Sequence, residues 1–195
     1  MGEDGEDTAL VARARKGDRK AFDRLIQKYQ ARIFQFCYRM LGDAEEAEEL
    51  AQDVFIRLFH HLKRFRGEAK FSTWLFQIAK NLSLNRLHYL RRRNFFSFLS
   101  LDEAQGRSEG SGRRLDVADD RKGADGLYEA RETQQLVQRK IALLRPDYRA
   151  VLVLRDIEDM SYAEIAGIMK MAEGTVKSRV HRARLELKNS LTDCL

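Results

Sequence analysis

Apolar residues recur at intervals of three and four along most of the chain, a pattern that predicts amphipathic helices rather than strands. Between Ala21 and Leu41 the apolar stripe comprises Phe22, Leu25, Ile26, Tyr29, Ile33, Phe36, Cys37 and Met40. Gly42 suits the residue that ends a helix, and Asp43 followed by Glu46 suits the start of the next one. The same periodicity predicts two more helices, from about Ala44 to Leu62 and from about Ser72 to Arg93.

The helical pattern stops over residues 97–127, where glycine, serine and charged residues replace the apolar stripe. This composition predicts a flexible linker. Periodicity resumes at residue 128, and Pro146 suits the first turn of a further helix. The sequence therefore predicts an all-α fold of two small helical domains, residues 10–96 and 128–195, joined by the flexible linker 97–127.

A helix-turn-helix is predicted over residues 161–185. Ser161 and Glu164 form a capping box at the start of a short helix, and a turn at Lys170–Gly174 leads into a second helix from about Thr175. In the second helix one stripe is apolar and comprises Val176, Val180, Ala183 and Leu187.

The opposite face of this second helix is polar and basic, and it comprises Lys177, Ser178, His181 and Arg182. No acidic residue lies between Glu173 and Glu186. An apolar back with a basic front is typical of a recognition helix in the major groove of DNA, although it also describes a solvated helix face. On the first interpretation Arg182 and Lys177 contact guanine edges, and Arg179 and Arg184 at the flanks contact phosphates.

A second basic segment extends from Ala69 to Leu101, where no Asp or Glu occurs and aromatic residues are frequent. Aromatic rings stack on unpaired bases while cations follow the phosphates, so the segment favours binding of a separated strand. One face of the predicted third helix comprises Gln77, Lys80, Asn81, Leu84, His88 and Arg91. Trp74 borders the buried stripe of that helix and is expected in the core.

The predicted second helix has an acidic outer face with an apolar centre, formed by Glu49, Asp53, Ile56 and His60. Such a face is suited to a basic protein partner, and equally it is an ordinary solvated face.

Composition limits the remaining possibilities. Lys and Arg number 36 against 30 Asp and Glu, so the net charge of +6 only weakly favours polyanionic partners. Cys37 and Cys194 form no disulfide framework, and the acidic start resembles no signal peptide, so we expect a cytoplasmic protein without membrane insertion. The four histidines lack metal-ligand spacing and no glycine-rich phosphate loop occurs, so neither a metal, a cofactor nor an enzyme activity is expected.

Longer strings of the sequence resemble a known family. The segment EELAQDVFIRLFHHLKRFRGEAKFSTWLFQIAKNLSLNRLHYLRRR resembles region 2 of bacterial sigma factors, and LLRPDYRAVLVLRDIEDMSYAEIAGIMKMAEGTVKSRVHRARLELK resembles region 4. With these two regions and a short linker, the chain resembles an extracytoplasmic-function (group 4) sigma factor of the sigma-70 family. The resemblance implies a stress-response factor that binds core RNA polymerase, recognises the −10 and −35 promoter elements and aids strand opening.

The resemblance also implies partners and residue roles. The β′ clamp helices of core polymerase would contact Glu49, Gln52, Asp53 and Ile56. The −10 element would contact Lys70, Phe71, Ser72, Thr73, Lys80, Asn81 and Arg86. The −35 element would contact Lys177, Ser178, Arg179, His181 and Arg182, with Arg155 at the DNA backbone. Further implied partners are the β flap of polymerase and an anti-sigma factor.

Three alternatives belong to other classes of protein. A non-sigma helix-turn-helix regulator would need a receiver or ligand domain, and residues 21–93 lack the strand-helix alternation of a receiver. An enzyme acting on nucleic acid would need a metal or phosphate site that the sequence does not show. An anti-sigma protein would have little use for a basic recognition face. Tight binding to core polymerase distinguishes a sigma factor from the first of these.

Overall fold

The computed structural model describes the backbone of residues 3–104 and 125–192, and the side chains of residues 4–93 and 132–192. The helices are α1 (Glu3–Arg15), α2 (Arg19–Leu41), α3 (Ala44–His61), α4 (Phe71–Ala104), α5 (Asp125–Leu143), α6 (Pro146–Asp156), α7 (Tyr162–Met169) and α8 (Glu173–Thr192). A 3-10 turn, Leu62–Arg64, follows α3. The described ranges contain no strand, which confirms the all-α prediction.

The junction between α2 and α3 forms where local chemistry predicted it. Gly42 has a φ of 80°, and its N–H donates to the carbonyl of Tyr38 at 2.8 Å. This left-handed conformation costs glycine little because it has no Cβ. One residue later the Asp43 carboxylate accepts from the Glu46 N–H at 2.9 Å, so an unpaired amide of α3 is satisfied. The two helices therefore reverse direction within two residues.

The core of the N-terminal half lies between α2, α3 and α4. It is formed by the predicted stripes, with Leu25, Ile33, Phe36, Met40, Leu50, Val54, Leu58, Leu75 and Phe76 fully or almost fully buried. Phe36 and Phe76 meet edge to face, with ring centroids 5.5 Å apart. Each such side chain stabilises the fold by roughly 1.5–3 kcal/mol relative to an exposed one. This burial fixes the outer faces of α3 and α4.

Helix α1 was not predicted, since its sequence is polar and has no apolar stripe. It docks through Leu10 and Val11, which are buried, and through the buried carboxylate of Asp7. Asp7 accepts from Lys28 at 2.6 Å and from the Tyr29 hydroxyl. A tertiary ion pair therefore holds a helix that periodicity alone does not reveal.

The predicted helix-turn-helix is confirmed as α7 and α8. Ser161 and Glu164 form both hydrogen bonds of the capping box at the start of α7. Lys170 ends α7 in a left-handed conformation, with a φ of 54°. Helix α8 begins two residues earlier than predicted, at Glu173, and its Val176, Val180 and Ala183 are buried against α6 and α7.

Helix α4 extends further than predicted. Its backbone is helical to Ala104, and α5 begins at Asp125, so both helices enter the predicted linker 97–127. Residues 105–124 of that linker lie outside the described residues. None of the described helices has the length and apolar character needed to cross a membrane.

The two halves pack directly on each other, α2 against α5 and α6, and α4 against α7. Arg149 of α6, which is buried, donates to the carbonyl of Met40 at the end of α2 and to the carbonyls of Ala142 and Leu144. Burial lowers the pKa of Arg149 to about 10, so the guanidinium stays charged at neutral pH. Its charge faces the negative ends of two helix dipoles instead of a carboxylate.

Two further polar contacts join the halves. Arg32 of α2 donates to the buried Glu158 carboxylate at 2.9 Å, and Arg39 donates to Gln138 of α5 at 2.8 Å. The interface between the halves is therefore specific and partly buried.

Candidate nucleic-acid interface

The predicted recognition face of α8 is exposed because the opposite stripe is buried. Lys177, Ser178, His181 and Arg182 all lie on the solvent side. Lys177 is 3.3 Å from Glu173 and lies over the ring of Tyr162, while the Ser178 hydroxyl donates to the Thr175 carbonyl at 2.9 Å. His181 and Arg182 make no ion pair with any described side chain. The centre of the face is therefore open to a ligand.

The basic residues at the flanks of α8 are held by acidic residues of α6. Arg179 lies 3.3 Å from Asp147, and the Arg184 Nε donates to Asp156 at 3.0 Å. These ion pairs fix α8 on α6 and leave Arg182 more available to a ligand than Arg179 or Arg184.

Arg155 of α6 lies at the edge of the recognition face, over the Tyr162 ring that Lys177 also contacts. It donates to the Met160 carbonyl at 2.8 Å and its guanidinium lies 5.1 Å from the centre of the Tyr162 ring. Arg155 thereby supports the start of α7.

A cavity of about 280 Å³ lies between α3 and α4 in the N-terminal half. Its walls combine basic, aromatic, amide and aliphatic side chains: Arg57, His61, Arg64, Trp74, Ile78, Asn81, Leu82 and Asn85. Trp74 is half-buried, so it serves both the core, as predicted, and the cavity wall. The cavity has room for one flat polar group and is slightly smaller than typical small-molecule sites, which begin at about 300 Å³.

The predicted −10 residues do not share one surface. Lys70 is exposed, Phe71 is buried against Tyr29 and Phe65, and Ser72 is half-buried. Thr73 and Lys80 are 8% and 7% exposed and lie on the side of α4 that faces α7, where Thr73 contacts Gly167. Of the predicted set, only Asn81 lines the cavity.

The electrostatics differ between the two lysines of this set. Burial, together with nearby Lys170, lowers the pKa of Lys80, and the Lys80 ammonium donates to the Asn81 side chain at 2.6 Å. Asp4 and Glu164 lie 3.0 and 3.1 Å from Lys70 and raise its pKa. Lys80 can therefore orient Asn81, while Lys70 links the halves.

Arg86 lies apart from the cavity. Its guanidinium donates to Glu46 at 2.6 Å, to Glu49 at 3.2 Å and to Asp53 at 3.4 Å, all on α3. Partial burial of Arg86 acts to lower its pKa, and the hydrogen bonds to Glu46 and Glu49 outweigh this and raise it.

The outer face of α3 is exposed as predicted, with Glu49, Gln52, Asp53 and Ile56 all in solvent. Ile56 is 57% exposed, and Phe59, one turn further on, is 61% exposed. Sequence reasoning missed Phe59, although the spacing of three from Ile56 places both on one face. It also missed the cavity residues Arg57, His61 and Arg64, because they belong to α3 and the following turn rather than to the acid-free segment. No group of three or more His, Cys, Asp or Glu in the described ranges converges to hold a metal ion.

Comparison with known proteins assigns the chain to a protein family. The sigma-70 region 2 family model matches residues 25–94, and the sigma-70 region 4 model matches residues 134–187. These two matches cover the cavity and the helix-turn-helix, and they define the molecule as a sigma factor of the sigma-70 type.

Relatives and solved structures extend over nearly the whole chain. The ECF RNA polymerase sigma factor SigW of Bacillus subtilis is 36% identical over 183 residues, which are 94% of this chain and 95% of SigW. The ECF RNA polymerase sigma-E factor of Escherichia coli is 35% identical over 191 residues, 98% of this chain and 97% of that protein.

Two solved structures share the fold. CnrH, in complex with the cytosolic domain of CnrY, has a TM-score of 0.69 at 24% identity and covers 96% of this chain and 98% of its own. The sigma factor RpoE in complex with the anti-sigma factor NepR from Bartonella quintana has a TM-score of 0.62 at 22% identity and covers 89% of this chain and 98% of its own.

The chain belongs to the extracytoplasmic-function sigma factors. Its function is therefore to bind core RNA polymerase and direct promoter-specific initiation of transcription, and the sequence-based prediction of this family is confirmed over the non-sigma regulator.

Proposed function

We propose that three surfaces of this sigma factor divide the work of initiation. The exposed face of α8 recognises the −35 element, the cavity between α3 and α4 takes an unstacked base of the −10 element, and the outer face of α3 docks on core polymerase. The cavity is the observation that carries the proposal, because it places an indole ring, two guanidinium groups and two amides around a space for one base.

The −35 role of α8 rests on exposure and charge. A recognition helix contacts base edges through residues near its N-terminal end, and Lys177, Ser178, His181 and Arg182 occupy that part of α8. Arg182 is exposed without an ion pair among the described residues, so it can form paired hydrogen bonds with a guanine. Arg179 and Arg155 lie at the edges of the face and suit phosphates.

The −10 role of the cavity follows from its walls. A base that leaves the stack needs a ring or guanidinium plane beside it and polar groups at its edge, and Trp74, Asn81 and Asn85 supply these. Arg57 and Arg64 favour the accompanying phosphates, and the ring nitrogens of His61 add further hydrogen-bonding groups to the wall. Lys70, Phe71, Ser72 and Thr73 precede the cavity and shape the start of α4, so their predicted contact with the −10 element stays a prediction.

The docking role of α3 rests on an exposed acidic face with an apolar centre. Glu49, Gln52 and Asp53 flank Ile56 and Phe59, whose exposure exceeds that of other large apolar side chains of α2–α4 in the described residues. A charged rim around an apolar centre is typical of a protein interface. We assign it to the basic surface of the β′ clamp helices, and we assign the C-terminal half to the β flap.

The packing of the two halves on each other has a functional consequence. The −10 and −35 elements lie roughly 25 base pairs apart, which is about 85 Å of duplex at about 34 Å per ten base pairs. In the structure Lys70 and Glu164 of the two halves are 3.1 Å apart. The two halves are thus in direct contact, and we infer that they separate before both elements are bound. We propose that an anti-sigma factor stabilises the packed arrangement; a sigma factor of the same fold, RpoE, forms a complex with the anti-sigma factor NepR.

The protein acts in this proposal by binding and by trapping separated strands. Phosphodiester chemistry belongs to the polymerase, so we assign no enzyme activity to the chain, and we place its work in the cytoplasm with the polymerase. Free energy for strand opening comes from the bases that the cavity captures.

Two neighbouring histidines allow a test of whether the cavity binds the −10 element. His61 lines it and His60 does not. In holoenzyme reconstituted with core polymerase, Asn81→Ala and His61→Ala should weaken binding to a promoter whose −10 region is kept unpaired by mismatches, while His60→Ala should bind it like the wild type. Equal affinity of all three variants and the wild type for this heteroduplex would exclude the cavity as the −10 site.

A further inference from the structure

Arg86 joins α4 to the acidic face of α3. Glu46, Glu49 and Asp53 are spaced by three and four residues along α3, so their carboxylates line one side of the helix. The guanidinium of Arg86 contacts all three, at 2.6, 3.2 and 3.4 Å. One cation thus faces three anions that would otherwise repel one another.

The side chains in this cluster differ in exposure. Arg86 and Glu46 are 21% and 20% exposed, whereas Glu49 and Asp53 are 63% and 54% exposed. Glu46 therefore anchors Arg86, and Arg93 lies 3.8 Å from the other oxygen of Glu46. Glu49 and Asp53 each direct one oxygen, Oε2 and Oδ2, at Arg86. A carboxylate has about four acceptor positions, so both retain free acceptors for an outside partner.

The geometry points to Arg86 as a positioning residue of the polymerase-docking face, which holds the Glu49 and Asp53 carboxylates in the orientation that a basic partner binds. The inference rests on the proposed docking role of α3, and it gives Arg86 a task other than the −10 contact expected from the sequence. Preorganised acceptors spare the ordering cost that flexible side chains incur on binding.

The positive charge of Arg86, considered alone, predicts that its removal strengthens binding to a basic partner. A positioning role predicts weaker binding, so the two can be told apart. Removal of Arg86 makes the face more negative, so electrostatic steering would leave the association rate with a basic partner unchanged or raise it. Loss of positioning acts on the bound state and raises the dissociation rate. The two rate constants therefore separate a positioning residue from a competing cation.

The experiment measures association and dissociation of the full-length protein on immobilised core polymerase. Arg86→Ala should dissociate about tenfold faster, a change within the range measured for coupled polar pairs. Arg86→Lys should restore part of the loss, since its single ammonium cannot span three carboxylates. Arg92→Ala is the matched control, because Arg92 is exposed on the same helix and makes no ion pair with the described side chains.

A double-mutant cycle locates the effect. Asp53→Ala should itself dissociate faster, and Arg86→Ala should add less in the Asp53→Ala background than in the wild type, the remainder being the loss of Glu49 positioning. Binding of a −35 duplex should not change, which separates positioning from general loss of folding. Should Arg86→Ala not fold, the intermediate rate of Arg86→Lys carries the test.

Three results overturn the inference. The first is that Asp53→Ala dissociates faster than the wild type while Arg86→Ala dissociates at the wild-type rate or more slowly. Another is loss of binding to the unpaired −10 heteroduplex by Arg86→Ala without any change on core polymerase, which would make Arg86 a DNA contact. The third is wild-type dissociation of Asp53→Ala itself, which would remove the docking face and the inference together.

Discussion

The Glu164 carboxylate serves two structures at once. Its Oε2 closes the capping box of α7 by accepting from Ser161, and its Oε1 lies 3.1 Å from the Lys70 ammonium that precedes α4. The start of the helix-turn-helix is thus tied to the start of the helix that lines the cavity. Asp4 of α1 lies 3.0 Å from the same ammonium, so three segments converge on Lys70.

A disulfide across α4 and α7 should lock the protein in an inactive state. Gly167 of α7 and Thr73 of α4 face each other, since a Cβ at Gly167 would lie 3.7 Å from the Thr73 Cγ2 atom, so this pair is the place to introduce two cysteines. We expect Thr73→Cys/Gly167→Cys, made in a Cys194→Ser background, to support promoter-specific transcription when reduced and to lose it when oxidised. The reason is that the locked halves cannot reach both promoter elements.

The matched controls are the two single-cysteine variants, which should respond to neither oxidant nor reductant. Cys37 is buried and stays in all variants. Transcription by the oxidised double variant at the level of the reduced form would show that the halves need not separate.

Two carboxylates at the interface should respond to pH with opposite signs. Burial acts to raise the pKa of Glu164, but hydrogen bonds from Ser161 and Lys70 outweigh it and hold the pKa below the usual 4.5. Its contribution to stability is therefore present above pH 4.5 and is lost as the pH falls through the lower folded-state pKa. Burial raises the pKa of Glu158, and Arg32 only partly opposes this. The ionised Glu158 side chain therefore destabilises the fold at neutral pH, and this destabilisation diminishes as the pH falls through the raised pKa and the carboxylate is protonated.

Urea unfolding between pH 3 and 7 measures this difference. The free energy of unfolding of the wild type relative to Glu164→Gln should fall as the solution is acidified, while that relative to Glu158→Gln should rise. Parallel pH profiles for the two comparisons would contradict the assigned environments.

Arg149→Ala should strongly destabilise the protein. Its removal leaves the carbonyls of Met40, Ala142 and Leu144 without their buried charged donor. Unsatisfied buried groups of this kind cost about 1–3 kcal/mol each. We expect the midpoint of urea unfolding to fall clearly for Arg149→Ala and hardly at all for Arg145→Ala, whose side chain is exposed. Equal midpoints would show that the buried guanidinium contributes nothing.

Arg182→Ala should weaken binding to the −35 element selectively. Loss of a paired hydrogen bond to a guanine costs about 1–3 kcal/mol on the cognate site and much less on random duplex. Arg184→Ala is the comparison, since Arg184 is paired with Asp156. Fluorescence anisotropy with cognate and scrambled duplexes at one salt concentration measures both. The same loss on the two duplexes would make Arg182 a phosphate contact.

Local chemistry explains most of what the sequence predicted correctly. The stop at Gly42, the start at Asp43 and the capping box at Ser161 depend on residues within a few positions of each other, so they were visible in the sequence. The recognition face of α8 was visible for the same reason, because its buried stripe and its basic front follow from helical spacing.

Tertiary packing decided what the sequence could not show. Lys80 and Asn81 were predicted on one face of α4, but Lys80 is 7% exposed where α4 faces α7 while Asn81 is exposed and lines the cavity. Helix α1 is held by Asp7 across 22 positions, and Arg149 reaches Met40 across 109. Contacts between residues so far apart in the chain produce no periodic pattern in the sequence, so sequence analysis could not predict them.

Run-off transcription with purified core RNA polymerase tests the central claim most directly. A panel of promoter templates that includes the DNA upstream of the protein's own gene should yield a discrete transcript only when the protein is added, and Asn81→Ala and Arg182→Ala should each reduce its amount. Transcript levels equal to those of core polymerase alone on every template would contradict the claim that this chain is a promoter-specific sigma factor.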